Sequence, residues 1–319
     1  MMTVQPYSSA RQDEWDEFVK QSRGTFLHKR QFMDYHADRF PDASAMIYDR
    51  GKLVAVLPAT KGGQEVSSHA GLTYGGLLHT GLTSGKVLKA FDTFNEHYFS
   101  LGYVAVVYKP IPFIYSSYPG QEDLYALFRL NAQLVARALA STVPIEARLR
   151  FTEARRSGLR KAKRVGCTVE LSNSYNEVWE VLEAALQDRH GARPTHSAAE
   201  MLLLKDRFPD HIRLFVARIE GEIGAACVVF DTGAVSHAQY ITSTVLGLRS
   251  GALDALFDYL INTICPREKT KFFDFGTSTE EGGRILNEGL VFQKEGFGGR
   301  GVTYDTYRYS LPACRLADV

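Results

Sequence analysis

Lys294 stands in the stretch "GLVFQKEGFGGRG", residues 289–301, with glycines at 289, 296, 298, 299 and 301. Glycine allows left-handed backbone and close chain approach, and a lysine held in such a stretch can pair with phosphate or carboxylate as a point charge. "AVSHAQYIT" (234–242) carries His237, Gln239 and Tyr240 in an apolar run. Plain strand alternation places His237 and Gln239 on one face and Tyr240 on the other. His237 could take up a proton and Tyr240 could give one to a leaving group, and both residue types also serve as ordinary core. "GLRSGAL" (247–253) offers Gly247, Arg249, Ser250 and Gly251 at the expected start of a helix, where backbone N–H groups hold anions. Ser250 also reads as a simple structural cap. Glu280, Glu281 and Glu288 could supply a base or bind an amine, or form a solvated loop. His69 and Tyr74 in "SHAGLTYGG" (68–76), and His190 and His196 in "DRHGARPTH" (188–196), complete the polar candidates. Neither loop has metal-ligand spacing, so no metal is expected.

The elements that must position these residues repeat within the chain. "SAMIYDRGKLVAVLPA" (44–59) and "LFVARIEGEIGAACVVF" (214–230) each read as strand, two-residue Gly turn, strand. Their turn glycines, Gly51 and Gly221, are separated by 221 − 51 = 170 positions. "SGKVLKAFD" from Ser84 and "SGALDALFD" from Ser250 share Ser, Gly, Phe and Asp at one offset, 250 − 84 = 166. A constant offset over four identities reads as tandem duplication. In the second copy Leu253, Leu256, Phe257, Leu260, Ile261 and Ile264 follow the spacing of one buried helix face. An apolar β-like run follows each helix, "YVAVVYKP" (103–110) and "KFFDFGTS" (271–278). Strand, crossover helix and strand imply a partly parallel sheet and a mixed α/β fold. The expected domains are 1–147 and 171–319, joined by a basic helical region at 148–170.

That basic region, "RLRFTEARRSGLRKAKRVGCTVE", holds Arg148, Arg150, Arg155, Arg156, Arg160, Lys161, Lys163 and Arg164. It is either a solvated helix face or a flank for phosphates. The net charge of +1 argues against a nucleic-acid protein driven by overall charge. Cys167, Cys227, Cys265 and Cys314 are scattered, with no Cys-x-x-Cys pair, and give no disulfide framework. No run approaches the roughly 20 apolar residues of a membrane span, and the start lacks a basic segment followed by an apolar core, so a cytoplasmic protein is expected.

Hairpin, strand, Ser-Gly helix and strand, twice over, resemble the GNAT acyltransferase fold. With the basic "RRSGLRKAKRVGCTVE" and the terminal "GLVFQKEGFGGRGVTYDTY" the chain is similar to Fem-type peptidyl and aminoacyl transferases, a resemblance that spans most of it and is stronger from 150 to 310. The family's Phe-Lys-x-x-Phe-Gly motif is matched at Lys294, Phe297 and Gly298, with Gln293 in place of its first Phe. "GLRSGAL" matches the GNAT coenzyme A loop at Arg249, Ser250 and Gly251 without its full spacing, and "SHAGLTYGGLL" stands where the family often has Pro-Arg-Gly-Pro. The inserted helical arm of Fem-type enzymes has no counterpart.

The resemblance implies two tandem GNAT-like domains, each a mixed, mostly antiparallel sheet with flanking helices. It implies an N-acyltransferase that moves an acyl group from acetyl-CoA or another acyl-CoA to the amine of a polar small molecule such as an amino sugar or amino acid. A Fem-like enzyme using aminoacyl-tRNA on a peptidoglycan precursor is the alternative, and only that alternative brings in tRNA as a partner. A noncatalytic ligand-binding protein of the same fold is the alternative of another class. The transfer needs an anion site, hydrogen bonds to the carbonyl and a group to keep the amine unprotonated. It needs no covalent enzyme intermediate, and no nucleophile elbow is present. The residues expected to serve are Lys294, Tyr240 and His237 in catalysis, Gly247, Arg249, Ser250 and Gly251 on the donor, and His69, Tyr74, His190, Glu281 and Phe297 on the acceptor.

Overall fold

The structure, a computed structural model, describes residues 2–116, 118–190 and 193–317, and the side chains of these apart from 188–190. The turns of the two hairpins fix the local geometry. Arg50 and Gly51 have φ of +52° and +78°, Glu220 and Gly221 +51° and +87°, the pattern of a turn that matches strand twist. The strands they join are Ala45–Asp49 with Lys52–Leu57, and Ile212–Ile219 with Glu222–Asp231. Each ladder carries a bulge. Ile47 pairs with Ala55 and Tyr48 with Leu53, so Val54 is the extra residue. Ala217 pairs with Ala225 and Arg218 with Ile223, so Gly224 is the extra residue. The two extra residues are 224 − 54 = 170 positions apart, the offset of the turns.

The chain divides into two compact units: 1–138 with 280–285 and 303–319, and 139–279 with 286–302. The division falls inside the strands Gln133–Pro144 and Arg300–Ser310, and residues 303–317 pack with the first unit. In the first unit one sheet runs Met2–Pro6, Ala45–Asp49, Lys52–Leu57, Leu78–His79, and another runs Thr60–Gly62, Glu65–Ser67, Ala105–Tyr108, Arg300–Ser310. Glu65–Ser67 and Ala105–Tyr108 are parallel. The helix Ser84–Ser100 buries Val87, Phe91, Phe94 and Tyr98 in this unit's core.

In the second unit the strand order is Gln133–Pro144, Phe272–Thr277, Val235–Ser243, Glu222–Asp231, Ile212–Ile219, Thr168–Ser172. Every pair is antiparallel except Val235–Ser243 with Phe272–Thr277. The strands of both units are thus mostly antiparallel with one parallel pair in each, two sheets in the first unit and one in the second, flanked by helices, and the six residues of the expected helix face, Leu253 to Ile264, are all buried in the second core. The helix itself differs from expectation. Thr244, not Ser250, caps it, its hydroxyl accepting from the Gly247 N–H at 3.1 Å. The helix runs Val245–Ser250, breaks at Gly251 with φ +78°, and resumes as Ala252–Tyr259 and a π turn, Leu260–Ile264.

The break has a packing cause. A Cβ on Gly251 would collide with the carbonyl of Gly158, so the helix Glu153–Arg164 lies directly on this backbone. Arg155 binds Asp254 at 3.1 Å across the same contact. The rest of the basic helix is open: Ala162 is its one fully buried residue, and Arg156 and Arg160 pair with Glu153. Among the described residues no helix is long and apolar enough to cross a membrane.

Candidate active site

Two parallel strands of the second unit pair only briefly. Val235, Ser236 and His237 face Phe272, Phe273 and Asp274, and no further pair joins Val235–Ser243 to Phe272–Thr277. Each strand has a bulge just past this point. On the first, Val228 pairs with Tyr240 and Val229 with Ala238, so Gln239 is extra. On the second, Asp274 pairs with Thr142 and Thr277 with Ala140, so one residue of Phe275–Gly276 is extra, and Gly276 takes φ +72°. Bulges bend strands and re-aim side chains, and a cavity opens between the diverging ends, lined by Ile241, Thr242, Ser243, Phe275, Leu290 and Lys294 among others.

Asp274 organises the Gly276 turn beside this opening. Its carboxylate is fully buried and accepts from His237 Nδ1 at 2.8 Å, from Thr142 Oγ1 at 3.0 Å and from the Gly276 N–H at 3.1 Å. A carboxylate that accepts from Nδ1–H leaves the Nε2 lone pair as the basic site of the imidazole. The His237 ring is partly exposed and stands over Gly276, where a Cβ would come within 3.2 Å of its Cε1.

Lys294, on the helix Glu288–Gly296, reaches the same turn. It is buried, and its ammonium donates to the carbonyls of Gly276 at 2.9 Å and Thr277 at 2.8 Å. Burial pulls its pKa down to about 8, against the opposing attraction of Asp274. Two of three ammonium donors are taken by carbonyls, which leaves one to meet a ligand in the cavity. An imidazole, a buried carboxylate and a buried lysine thus converge on one β-bulge, an arrangement suited to proton transfer and to stabilising charge on oxygen.

The other expected site residues are dispersed. The bulge at Gln239 overturns the alternation, because Tyr240 pairs with Val228 and His237 with Phe230, which puts Tyr240 on the His237 face. Its hydroxyl is held by His196, through Nδ1 at 2.6 Å and the backbone N–H at 3.1 Å, and its ring edge packs on Trp179. Burial raises the Tyr240 pKa. Gly247 and Gly251 are packing glycines. A Cβ on Gly247 would strike the carbonyl of Gly224, as one on Gly251 would strike Gly158, and their N–H groups donate to Thr244 Oγ1 and to the carbonyl of Gly247. Ser250 is buried and donates to the carbonyl of Leu246 at 2.7 Å. Arg249 alone of the four is exposed.

Phe297 lies in the core of the second unit. It is fully buried against Phe151, Phe257 and Phe275, with the Arg155 guanidinium 5.1 Å above its ring. His69 and Tyr74 belong to the first unit. His69 is buried 5.5 Å from the His36 ring, and burial lowers its pKa to about 3. Tyr74 is buried against Tyr115 at 4.5 Å and beside His28. Glu281 is exposed in a short turn of that unit, and the His190 side chain lies outside the described residues. Sequence reasoning missed Asp274 and Thr142. The signal for Asp274 was a single acid between Phe273 and Phe275 in an apolar run, which alternation sends to the face away from the phenylalanine core.

Residues 149–281 match the family described as Acetyltransferase (GNAT) domain. This segment is similar to a GNAT domain. It contains His237, Asp274 and the Gly247–Gly251 loop, while Lys294 and Phe297 follow it. Among curated proteins none matches the chain. Among solved structures, the crystal structure of FemX superposes with a TM-score of 0.68 at 14% identity, covering 97% of this chain and 97% of that one. The C-terminal domain of a putative lysylphosphatidylglycerol synthetase from Agrobacterium fabrum gives 0.61 at 14% identity, over 94% and 92%. A tandem GNAT protein from the clavulanic acid biosynthesis pathway gives 0.50 at 12%, over 97% and 98%. The chain shares the fold of these structures, with two tandem GNAT-like units.

Proposed function

We propose that the second GNAT unit transfers an acyl group from acyl-CoA to the amine of a polar small molecule. The observation that carries this reading is the His237–Asp274 pair on the Gly276 turn that also holds Lys294, a residue of the cavity wall. The amine nitrogen attacks the thioester carbonyl, a C–N bond forms, the C–S bond breaks, and the proton shed by nitrogen passes to His237 Nε2. Lys294 holds the oxygen that gains charge, and the released thiolate takes up the proton to leave as thiol. Asp274 and Thr142 position the imidazole. Arg249 is the residue left to meet the donor's phosphates, because the glycines around it are filled by protein.

A second reading, an aminoacyl-tRNA donor, is favoured by the superposition on FemX over nearly the whole chain. The basic face of Glu153–Arg164, with Arg160 and Lys163 exposed, would then serve a nucleic-acid backbone. The deciding experiment presents the purified protein with a panel of polar amines and either acyl-CoA or aminoacyl-tRNA, following thiol release and deacylation separately. Thiol release that needs both amine and His237 supports the first reading. Amine-dependent loss of the aminoacyl group from tRNA alone replaces it with the second, and no turnover with either donor refutes both.

A further inference from the structure

The cavity in the second unit says what kind of acyl group fits. Its volume is about 120 Å³, somewhat less than the roughly 150 Å³ apolar cavity that accommodates benzene. Ile241, Leu248, Leu253, Phe257, Phe275 and Leu290 form its apolar wall, and none of its lining residues is acidic. A cationic side chain drawn into it would lose hydration without gaining a partner. Four polar side chains interrupt the apolar wall, Thr242, Ser243, Gln293 and Lys294, and two of them are placed to hold an oxygen. Lys294 has a donor left after Gly276 and Thr277 are served. Thr242 lines the cavity 94% buried, and its hydroxyl has no hydrogen-bond partner. A buried hydroxyl left unpaired costs about 1–3 kcal/mol, a cost that a ligand oxygen would remove.

We infer that this cavity holds the apolar chain of the transferred acyl group, about four to six carbons long, with its carbonyl oxygen at Lys294 and Thr242. The inference rests on the acyltransfer reading for the identity of the group, and it holds for either donor. It sets the chain apart from any transferase of lysyl or other cationic aminoacyl groups.

The test uses the intact protein and free carboxylates, so that it does not depend on turnover. Acetate, butyrate, hexanoate, octanoate and decanoate are titrated by calorimetry or ligand-observed NMR, with hexylamine as the charge control. At about 0.8 kcal/mol per buried methylene, affinity should rise about fourfold per carbon from butyrate to hexanoate and stop rising beyond it. Thr242→Val, which keeps the shape and removes the hydroxyl, should weaken hexanoate about 5- to 20-fold while the rise with chain length persists. Leu248→Trp, at an exposed rim position, should abolish the rise. Equal affinity along the series, continued strengthening through decanoate, or hexylamine binding as well as hexanoate would each overturn the inference. Hexanoate binding in a protein that fails both transfer assays would leave the cavity assignment standing and reject the reading of function, whereas transfer without selective hexanoate binding would do the reverse.

Discussion

Replacing Asp274 by Asn tests the proposed chemistry at its most buried point. Of the donors named on this carboxylate, the Gly276 N–H can only donate, and it sits with the Thr142 hydroxyl on Oδ1. The asparagine carbonyl must take that side, so its NH2 faces His237 Nδ1. The imidazole then accepts at Nδ1 and carries its proton on Nε2, where the lone pair had been. A positioned general base contributes about 10² to 10⁴-fold, and the same swap behind the histidine of a serine protease costs about 10⁴-fold through the wrong tautomer. We expect kcat to fall by between about 10² and 10⁴-fold with KM little changed. Exchanging charge-assisted for neutral hydrogen bonds should lower stability by about 1–3 kcal/mol, partly offset because no charge is buried. Thr142→Val keeps the tautomer and should cost less than about tenfold in kcat. The assay is the pH profile of kcat/KM together with urea unfolding of each variant. A folded Asp274→Asn protein within about threefold of the parent would refute the role assigned to His237.

Three further outcomes follow from the geometry. Gly251→Ala, strained at φ +78° and pressed against Gly158, should lose at least about 1–3 kcal/mol, read as a lower urea midpoint. Lys294→Met should lower kcat/KM strongly, and its stability relative to the parent should depend on pH. The unfolded lysine holds its proton to 10.5 and the folded one to about 8, so the parent gains stability relative to the variant as pH rises from 8 to 10.5, seen in melts at pH 7.5 and 9.5. His28, His69 and His79 are pushed down by burial to about 4, 3 and 4. The unfolded chain takes up these protons below 6.5 while the folded one does not, so stability should fall as pH drops from 6.5 toward 4, and His69→Gln should flatten that slope.

The repeated hairpins and the helix face were legible because their signals are local. Arg-Gly and Glu-Gly turns need left-handed backbone, and the spacing from Leu253 to Ile264 can bury only one side of a helix. The site was half legible for a matching reason. His237 and Lys294 stood out by residue type, and the structure brings both to the Asp274 turn. Tyr240 was put on the wrong face because a bulge leaves no mark in a run such as "HAQYIT". Gly247, Gly251 and Phe297 could not be placed from the sequence, because glycine and phenylalanine look alike there whether they meet a ligand or the protein's own backbone and core. Only the contacts with Gly224, Gly158 and Phe257 separate the two cases.

The extra residue at Gln239 makes the strand Val235–Ser243 a reading frame with a built-in shift. Before it, odd-numbered His237 faces with Phe230; after it, even-numbered Tyr240 and Thr242 take that side, opposite Val228 and Ala226. Substituting Gln239 leaves the frame alone, but deleting it would restore simple alternation and turn Tyr240, Ile241 and Thr242 over together relative to His237. Length, more than residue identity, is thus the conserved quantity to demand of this strand in any redesign: a variant library that permits single-residue deletions between Ala238 and Ile241 should lose the wall of the cavity in one step, while a library of point changes at Gln239 should keep it.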